Sequence, residues 1–382
     1  MVTHAASIDS TTTPTDWMAL IRELGPSFLA RAAGHDSQDD FVHENYADLK
    51  RHRIFSAGIP VELGGGGASY AELCSLLRIL AHYCGSTALA LSMHTHQVAT
   101  AVWRWRHERA PLESFLRRVA KEELILVSSG GSDWLAGSSH AEKVEGGYRI
   151  TGRKVFSSGC PGGQLLMTCA VFDDPETGPT VLHFPVALDA PEVTILDTWH
   201  TLGMRSTGSH DVQIDGVFVP EAAVGVRRPQ GKWHPLFHLI ALVALPLIYS
   251  VYVGIAEAAR DCAVTKARKK VEDPSLPLLV GEMENELMAA RLALGHMIET
   301  ASRATPGPQT TNEVVMGRTL AGRAAMRTVE KALEVAGGQS YYRTQPLERL
   351  FRDVQAARFH PLQEKPQLRY TGRVALGLDI DG

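Results

Sequence analysis

Residues 146–159 read Gly-Gly-Tyr-Arg-Ile-Thr-Gly-Arg-Lys-Val-Phe-Ser-Ser-Gly. The leading glycine pair favours the positive φ angles of a tight hairpin turn, and Tyr148 and Ile150 alternate with polar residues at the period of a strand. We expect this strand to continue through Phe156 and to end at the two serines that follow. Phe156 and Ser158 would then share one face. A flat face beside a hydroxyl suits a flat, hydrogen-bonding ring such as a flavin, whose redox chemistry no side chain performs. The pattern alone also fits a hairpin with Phe156 in the core and its serines in a loop.

Motifs on both sides of the hairpin narrow the interpretation. In chain order they are VSSGGSD at 127–133, DTWHTLGMRSTGS at 197–209, VQIDGVFVP at 212–220, EVAGGQSY at 334–341, PLERL at 346–350 and Arg352-Asp353. This succession resembles the acyl-CoA dehydrogenase superfamily, with its Gly-Ser-Asp loop, its strand ending in aromatic-x-Ser/Thr, its Gly-Met-Arg-x-Thr-x-Ser segment and its C-terminal Gly-Gly. The resemblance covers nearly the whole chain.

The resemblance implies an α+β fold that is mainly helical. We expect a disordered tail at 1–16, an N-terminal helical domain at 17–122, a middle β-sandwich or barrel at 123–232 and a C-terminal four-helix bundle at 233–382. The hydrophobic spacing agrees with this order, because helical stripes occupy the first and last regions and short alternating runs occupy the middle. A chain of 382 residues also exceeds the length of roughly 250–300 at which single cores stop growing.

Composition excludes several classes of protein. A net charge of −4 provides no polycation, so we do not expect nucleic-acid binding. The five cysteines form no CxxC pair, which indicates reduced thiols in the cytoplasm and no structural zinc or other metal site. The first 16 residues are polar and lack the apolar core of a signal peptide. Residues 236–258 approach membrane-spanning length, but His238, Pro246 and Tyr249 interrupt them and the family has a buried helix there, so we predict a core helix and no membrane association.

By resemblance, the cofactor is FAD, with FMN as the alternative. Phe156 occupies the position of the aromatic residue over the flavin ring, and Ser158 that of the hydroxyl near flavin N5, with Ser157 between them. The remaining predicted flavin contacts are the loop serines Ser128, Ser129 and Ser132, the basic residues Arg268 and Lys270, and the neighbouring subunit's Gly337 and Gly338. The use of a neighbour's glycines implies a homodimer or homotetramer. Glu334 replaces the glutamine usual before this Gly-Gly, and its charge is unfavourable beside a pyrophosphate.

The catalytic base of the family is missing. Acyl-CoA dehydrogenases use a glutamate because the α-proton of a thioester is only weakly acidic. Its two usual positions fall at Pro361 and near Ala244 in this sequence, and Glu364 is the nearest carboxylate. His360 precedes Pro361, and the branch of the fold that hydroxylates aromatic substrates carries a histidine in this region. An imidazole titrating near neutrality can move a proton, so we predict His360 as the catalytic residue. A helix C-terminal histidine without catalytic function is the alternative.

These observations predict a flavin-dependent oxidoreductase acting on a small molecule. We do not expect ordinary dehydrogenation of acyl-CoAs. The first alternative is a two-component monooxygenase that uses reduced flavin on aromatic or heteroaromatic substrates, and the second is a family member without catalysis. The partner is accordingly a flavin reductase or an electron-transfer flavoprotein. His94 and His96 lie on an apolar helix but two residues apart, which disfavours a metal pair and leaves the substrate cavity as their predicted location.

Overall fold

A computed structural model of the protein describes residues 15–129 and 133–382, and within them the chain forms ten α-helices and eight β-strands. Local signals in the sequence explain where the first helices begin. Asp16 accepts a hydrogen bond from the Ala19 amide at 2.9 Å and caps α1, and Ser69 and Glu72 form a reciprocal capping box at α3. The N-terminal helices are α1 (Trp17–Gln38), α2 (His43–Arg51), α3 (Tyr70–Tyr83), α4 (Gly85–His107) and α5 (Glu113–Glu122).

The middle region is an eight-stranded sheet whose order is β6-β7-β3-β2-β4-β5-β8, with β1 paired to β4. Only the pairings of β4 with β1 and β2 are parallel. The β2–β4 contact is a single pair, His140 with Val171, so it joins two larger antiparallel halves. The strands are β1 (Leu126–Ser128), β2 (His140–Val144), β3 (Gly147–Lys154), β4 (Leu165–Asp174), β5 (Gly178–Ala187), β6 (Val193–Ile195), β7 (Val212–Pro220) and β8 (Val226–Pro229).

The C-terminal region is a bundle built around one long apolar helix. Its helices are α6 (Pro235–Ala267), α7 (Leu276–Arg303), α8 (Pro308–Ala336), α9 (Pro346–Val354) and α10 (Glu364–Ala375). Helix α6 packs against α3, α4, α7, α8 and α9. It is long and apolar enough to cross a membrane by composition, but 94% of its most apolar window is buried within the protein. The apolar run is therefore a core helix, as predicted.

The two helical regions share one hydrophobic core. A single cluster of buried side chains runs from Trp17 in α1 to Tyr370 in α10, whereas the sheet has a separate core around Tyr148 and Ile150. The hydroxyl of Tyr70 in α3 donates to the Val243 carbonyl oxygen of α6 at 2.7 Å and links the two regions directly. The mainly helical α+β fold is thus confirmed, and the domain boundaries at 17, 123 and 233 stay a prediction.

Candidate functional site

Strand β3 ends earlier than the sequence predicts. Its last residue is Lys154, and Phe156 adopts a left-handed backbone with φ of 56°, which no strand accommodates. The expectation that the strand continues through Phe156 was therefore wrong. The Phe156 ring is 51% exposed, and its nearest aromatic neighbour is Trp199, edge-on at 5.9 Å between ring centres. A strained backbone that holds an apolar ring in solvent indicates a surface shaped for a ligand.

Two serines, one just after β3 and one in the turn at 205–207, have buried hydroxyls. Ser157 is fully buried, and its amide donates to the His210 carbonyl oxygen at 3.1 Å. Its hydroxyl has no hydrogen-bond partner within residues 15–129 and 133–382, and the same holds for the buried hydroxyl of Ser206. An unpaired buried hydroxyl costs about 1–3 kcal/mol, so both serines carry a local cost in stability.

Ser158 ends a series of three connected hydroxyls. Ser209 Oγ donates to Ser158 Oγ at 2.8 Å, and Ser209 Oγ lies 2.7 Å from Thr207 Oγ1. The Met204 carbonyl oxygen receives the Thr207 hydroxyl at 2.9 Å, the Thr207 amide at 3.1 Å and the Trp199 indole N–H at 3.0 Å. Because the single proton of Ser209 is used toward Ser158, the proton of Ser158 itself is available to a ligand.

A buried ion pair shapes the loop that follows β1. Lys154 is fully buried, and its Nζ donates to Asp133 Oδ2 at 2.9 Å and to the Ser138 carbonyl oxygen at 2.8 Å. Ser129 Oγ donates to the same Asp133 carboxylate at 3.1 Å and lies 2.8 Å from Thr168 Oγ1. Ser128 is buried in β1. The predicted contact Ser132 lies outside the described residues.

The segment carrying Met204 also joins the sheet to the bundle. A Cβ added at Gly203 would lie 2.3 Å from the Arg352 carbonyl oxygen, so only glycine permits this approach. The next amide, of Met204, donates to Asp353 Oδ1 at 2.6 Å. Burial raises the pKa of Asp353 to about 6. The hydroxyl series and helix α9 therefore meet at one junction.

His360 lies just beyond α9 in contact with two tyrosines of α6. Its Nε2 is 2.5 Å from the Tyr252 hydroxyl, and its ring centre is 5.5 Å from that of Tyr252 and 6.4 Å from that of Tyr249. Arg318 of α8 donates to the His360 carbonyl oxygen at 2.7 Å and to the Ala357 carbonyl oxygen at 3.2 Å. Both the ring and the backbone of His360 are thus held by neighbouring side chains.

The protonation of His360 differs from the expectation of titration near neutrality. Burial lowers the pKa of His360 to about 3, and the charge of Arg318 and the neighbouring His96 contribute in the same direction. The imidazole is consequently neutral at every physiological pH.

The structure provides no carboxylate base at the expected positions. Ala244 is buried in α6, and Pro361 follows His360. Glu364 begins α10 and is held by Arg323, whose Nε donates to Glu364 Oε2 at 3.0 Å. This carboxylate is partly exposed and engaged on the outside of the bundle, so a local shift toward the site would break an ion pair.

His94 and His96 have different surroundings. His94 is fully engaged with the backbone, because Nε2 donates to the Phe55 carbonyl oxygen at 2.7 Å and Nδ1 accepts the Leu126 amide at 3.0 Å. It connects α4 to β1 and offers no ring nitrogen to a substrate. His96 donates from Nδ1 to the Ser92 carbonyl oxygen at 3.1 Å. Burial lowers the pKa of each imidazole to about 4.

The predicted cofactor residues of the bundle lie on its surface. Gly337 ends α8 with φ of 75°, and a Cβ at Gly337 or Gly338 would meet no atom within 4 Å, so another molecule can approach their backbone. Glu334 is engaged by Lys331 at 2.9 Å, which offsets its charge. Arg268 and Lys270 are exposed on the short turn after α6. These positions are far from the hydroxyl series in sequence, and their cofactor role stays a prediction.

Sequence reasoning assigned no site role to Tyr252 or Arg318, and it named Asp353, Thr207 and Ser209 only as parts of motifs. Tyr252 had a usable signal, since Tyr249 and Tyr252 are three residues apart on an otherwise apolar helix and so share a face. The others depend on contacts between segments distant in the chain, such as Arg318 with His360.

Both helical regions of the chain match family models of known proteins. Family models describe an acyl-CoA dehydrogenase N-terminal domain at residues 16–123 and an acyl-CoA dehydrogenase C-terminal domain at residues 247–364. The chain belongs to the acyl-CoA dehydrogenase family. It is 31% identical to the amino sugar nitrososynthase RubN8 of Streptomyces rubradiris, over 93% of this chain and 88% of that protein. It is 29% identical to the putative acyl-CoA dehydrogenase YdbM of Bacillus subtilis, over 90% of this chain and 92% of that protein.

A solved structure with a bound flavin has the same fold. KijD3 in complex with FMN and a dTDP-linked amino keto sugar aligns with a TM-score of 0.87 and 28% identity, covering 96% of each chain. Other relatives of this chain include flavin-dependent monooxygenases. The protein is therefore a flavin-dependent oxidoreductase with a small-molecule substrate. The exposed Phe156 and the partly exposed Ser158 leave room for a flat, hydrogen-bonding ring.

Proposed function

We propose that this flavoprotein is the oxygenase component of a two-component system, in which a separate reductase delivers reduced flavin. The observation that carries the proposal is the residue set at the base positions, where Ala244 and Pro361 stand and where His360 is a neutral imidazole. General-base catalysis supplies about 10²–10⁴ in rate, so α-proton removal from an acyl thioester lacks its usual catalyst. Oxygenation of an electron-rich substrate needs no such base.

Different residues of this chain have different roles around the flavin. When bound, a reduced flavin supplies the electrons that activate dioxygen. Phe156 covers one edge of the ring site, Ser158 offers its hydroxyl proton, and the Lys154–Asp133 pair holds the adjacent loop in place. His360 is the candidate catalytic residue, and its two anchors Tyr252 and Arg318 keep it oriented.

FMN is the better candidate cofactor. The negative charge of Glu334 is unfavourable beside an adenosine diphosphate half, although Lys331 offsets part of it. KijD3 was solved with FMN. If FMN is the working cofactor, FAD should bind no more than a few-fold more tightly than FMN. A large preference for FAD would restore the original expectation.

We propose substrates with a nucleophilic nitrogen or an electron-rich aromatic ring. The support is the similarity to RubN8, which is named an amino sugar nitrososynthase, and to an indole-3-acetate monooxygenase. A flavin reductase is then the functional partner, and an electron-transfer flavoprotein is not required. Five thiols without an exposed pair agree with a cytoplasmic protein.

We also propose that the working molecule is a homo-oligomer. A groove of about 430 Å³ lies between α7 and α8. Its lining includes Leu292, which is 67% exposed, and Leu320, which is 58% exposed. Exposed leucines of this size on two adjacent helices favour burial against a second copy. Gly337 and Gly338 are likewise open to an approaching subunit.

The test compares the two flavin reactions directly. The purified protein is mixed anaerobically with oxidised FMN and a series of acyl-CoAs, and flavin absorbance is followed. In parallel it receives photoreduced FMN, oxygen and a panel of nucleotide-linked amino sugars, indoles and phenols, with products identified by mass spectrometry. Oxygenated product without flavin bleaching supports the proposal. Rapid bleaching by any acyl-CoA, or failure to bind either form of flavin, overturns it.

A further inference from the structure

The hydrogen bond between Tyr252 and His360 has a definite direction. Tyr252 is fully buried, and within the described residues its hydroxyl contacts a single hydrogen-bond partner, His360 Nε2. Burial raises the pKa of this phenol well above its ordinary value of 10, so the oxygen keeps its proton. A buried O–H without an acceptor would be unfavourable, and Nε2 is the acceptor available. Tyr252 therefore donates to Nε2.

A neutral imidazole carries one N–H, so accepting at Nε2 leaves the proton on Nδ1. We propose that Tyr252 is a positioning residue that fixes His360 as the Nδ1–H tautomer, so that His360 presents a hydrogen-bond donor to the bound ligand. His360 Nδ1 has no partner within residues 15–129 and 133–382, and it is not among the buried unpaired atoms. This inference rests on the proposed function, because it assumes that the free edge of His360 meets the ligand.

The ring and the backbone of His360 are held by separate groups. Tyr252 contacts the ring, whereas Arg318 contacts the carbonyl oxygens of Ala357 and His360. Tyr249, three residues before Tyr252, donates to the Ala357 carbonyl oxygen at 2.6 Å and does not bond the imidazole. Without the Tyr252 hydroxyl, His360 should no longer be fixed as the Nδ1–H tautomer. Without the Tyr249 hydroxyl, the turn at Ala357 should loosen while the tautomer of His360 stays the same.

The Nδ1–H donor of His360 determines which ligand groups can bind beside it. The Nδ1–H edge favours an oxygen or nitrogen lone pair, such as a carbonyl, a phenolate or a developing anionic oxygen, over a group that must lose a proton. His360 then acts as a hydrogen-bond donor and not as the general base that the sequence suggested. The titratable and charged groups facing it are Tyr252, Tyr249, Arg318 and His96.

The tautomer is measurable without any activity. Protein carrying ¹⁵N-labelled histidine is examined by two-bond ¹H–¹⁵N correlation spectra between pH 5.5 and 8, with the His360 signals assigned by their loss in His360→Asn. We expect a protonated-type shift at Nδ1 and an unprotonated-type shift at Nε2 across the range. An Nε2–H pattern in the unmodified protein overturns the inference, and this result does not depend on any variant folding.

Two tyrosine variants form a matched pair. Tyr252→Phe should move His360 toward the Nε2–H form, and Tyr249→Phe should leave the Nδ1–H form in place. If oxygenation is found, Tyr252→Phe should also lower kcat by about 10-fold or more with little change in KM, a part of the roughly 10²–10³ that one preorganised hydrogen-bond donor contributes. An unchanged tautomer in Tyr252→Phe refutes the role of Tyr252. A confirmed tautomer in a protein that oxygenates nothing would refute the proposed function instead, which keeps the two failures distinct.

Discussion

The backbone amide of Met204 donates to the Asp353 carboxylate at 2.6 Å, which ties the sheet to the helical bundle beside the hydroxyl series. The carboxylate is buried, and this burial gives it a pKa of about 6 against an ordinary 3.8. Between these two values the folded protein binds a proton that the unfolded chain has lost, so this group's contribution to stability falls as pH rises and is lost above pH 6.

The first prediction follows from this loss of stability with rising pH. Asp353→Asn keeps an oxygen for the Met204 amide and removes the charge, so relative to the unmodified protein its free energy of unfolding should rise between pH 4 and 6. The difference should level off near 3 kcal/mol, from about 1.4 kcal/mol per pKa unit. Urea denaturation at several pH values measures it. The exposed Asp189→Asn serves as the control, and a pH-independent difference for Asp353→Asn would contradict the argument.

The second prediction concerns Ser158. Its hydroxyl proton is free for a ligand because Ser209 donates into it. Ser158→Ala should weaken flavin binding by about 1–3 kcal/mol, roughly 5- to 150-fold in Kd, measured by flavin fluorescence quenching or calorimetry. Ser302→Ala on the exposed side of α7, where the hydroxyl bonds only the Ile298 carbonyl oxygen, should bind flavin normally. Equal affinities for the two variants would remove Ser158 from the flavin site.

The third prediction is that Glu364 takes no part in catalysis. Its carboxylate is paired with Arg323 on the outer side of α8. Glu364→Gln should leave the rate of product formation within about twofold, and because the pair is solvent-exposed it should change stability by less than about 1 kcal/mol. His360→Asn, measured in the same assay, should lower the rate by about 10²-fold or more. A large loss in Glu364→Gln would return this carboxylate to the site as a base.

The fourth prediction tests the groove between α7 and α8. Leu320→Glu places a charge among the exposed leucines of this groove and should shift the protein to a smaller species in multi-angle light scattering at micromolar concentration. Leu376→Glu, at a 74% exposed leucine after α10, should leave the mass unchanged. Unmodified protein that is already monomeric would contradict the proposed oligomer outright.

Local patterns predicted much of the architecture. Alternation in β3 and the turn before it are encoded by neighbours in sequence and formed as expected, although of the two glycines only Gly146 has a positive φ, of 76°. Capping at Asp16 and Ser69 is encoded just as locally. The end of β3 was not predictable in the same way. Phenylalanine has no local preference for a left-handed backbone, and only the packed surroundings of Phe156 hold it there.

The candidate site was predicted in part. Phe156, Ser158 and His360 came from a motif resemblance, but the state of His360 depends on Tyr252, which lies 108 residues earlier in the chain. Desolvation and the charge of Arg318 set its protonation, and neither is visible in the local sequence. The pKa of a titratable group is set by its surroundings in the folded protein. The expectation that this imidazole titrates near neutral pH was therefore wrong.

The shared helical core has a consequence for how the chain folds. Helices α3 and α4 pack directly against α6, and the core that they share extends from α1 to α10, so the sheet is in effect an insertion within a single helical body. During synthesis, more than 100 further residues must be made before the C-terminal helices that pack against the first helices are available. The sheet has its own core and can close in the meantime. Contacts of such long sequence separation slow folding, and the early helices are the segment most exposed to aggregation.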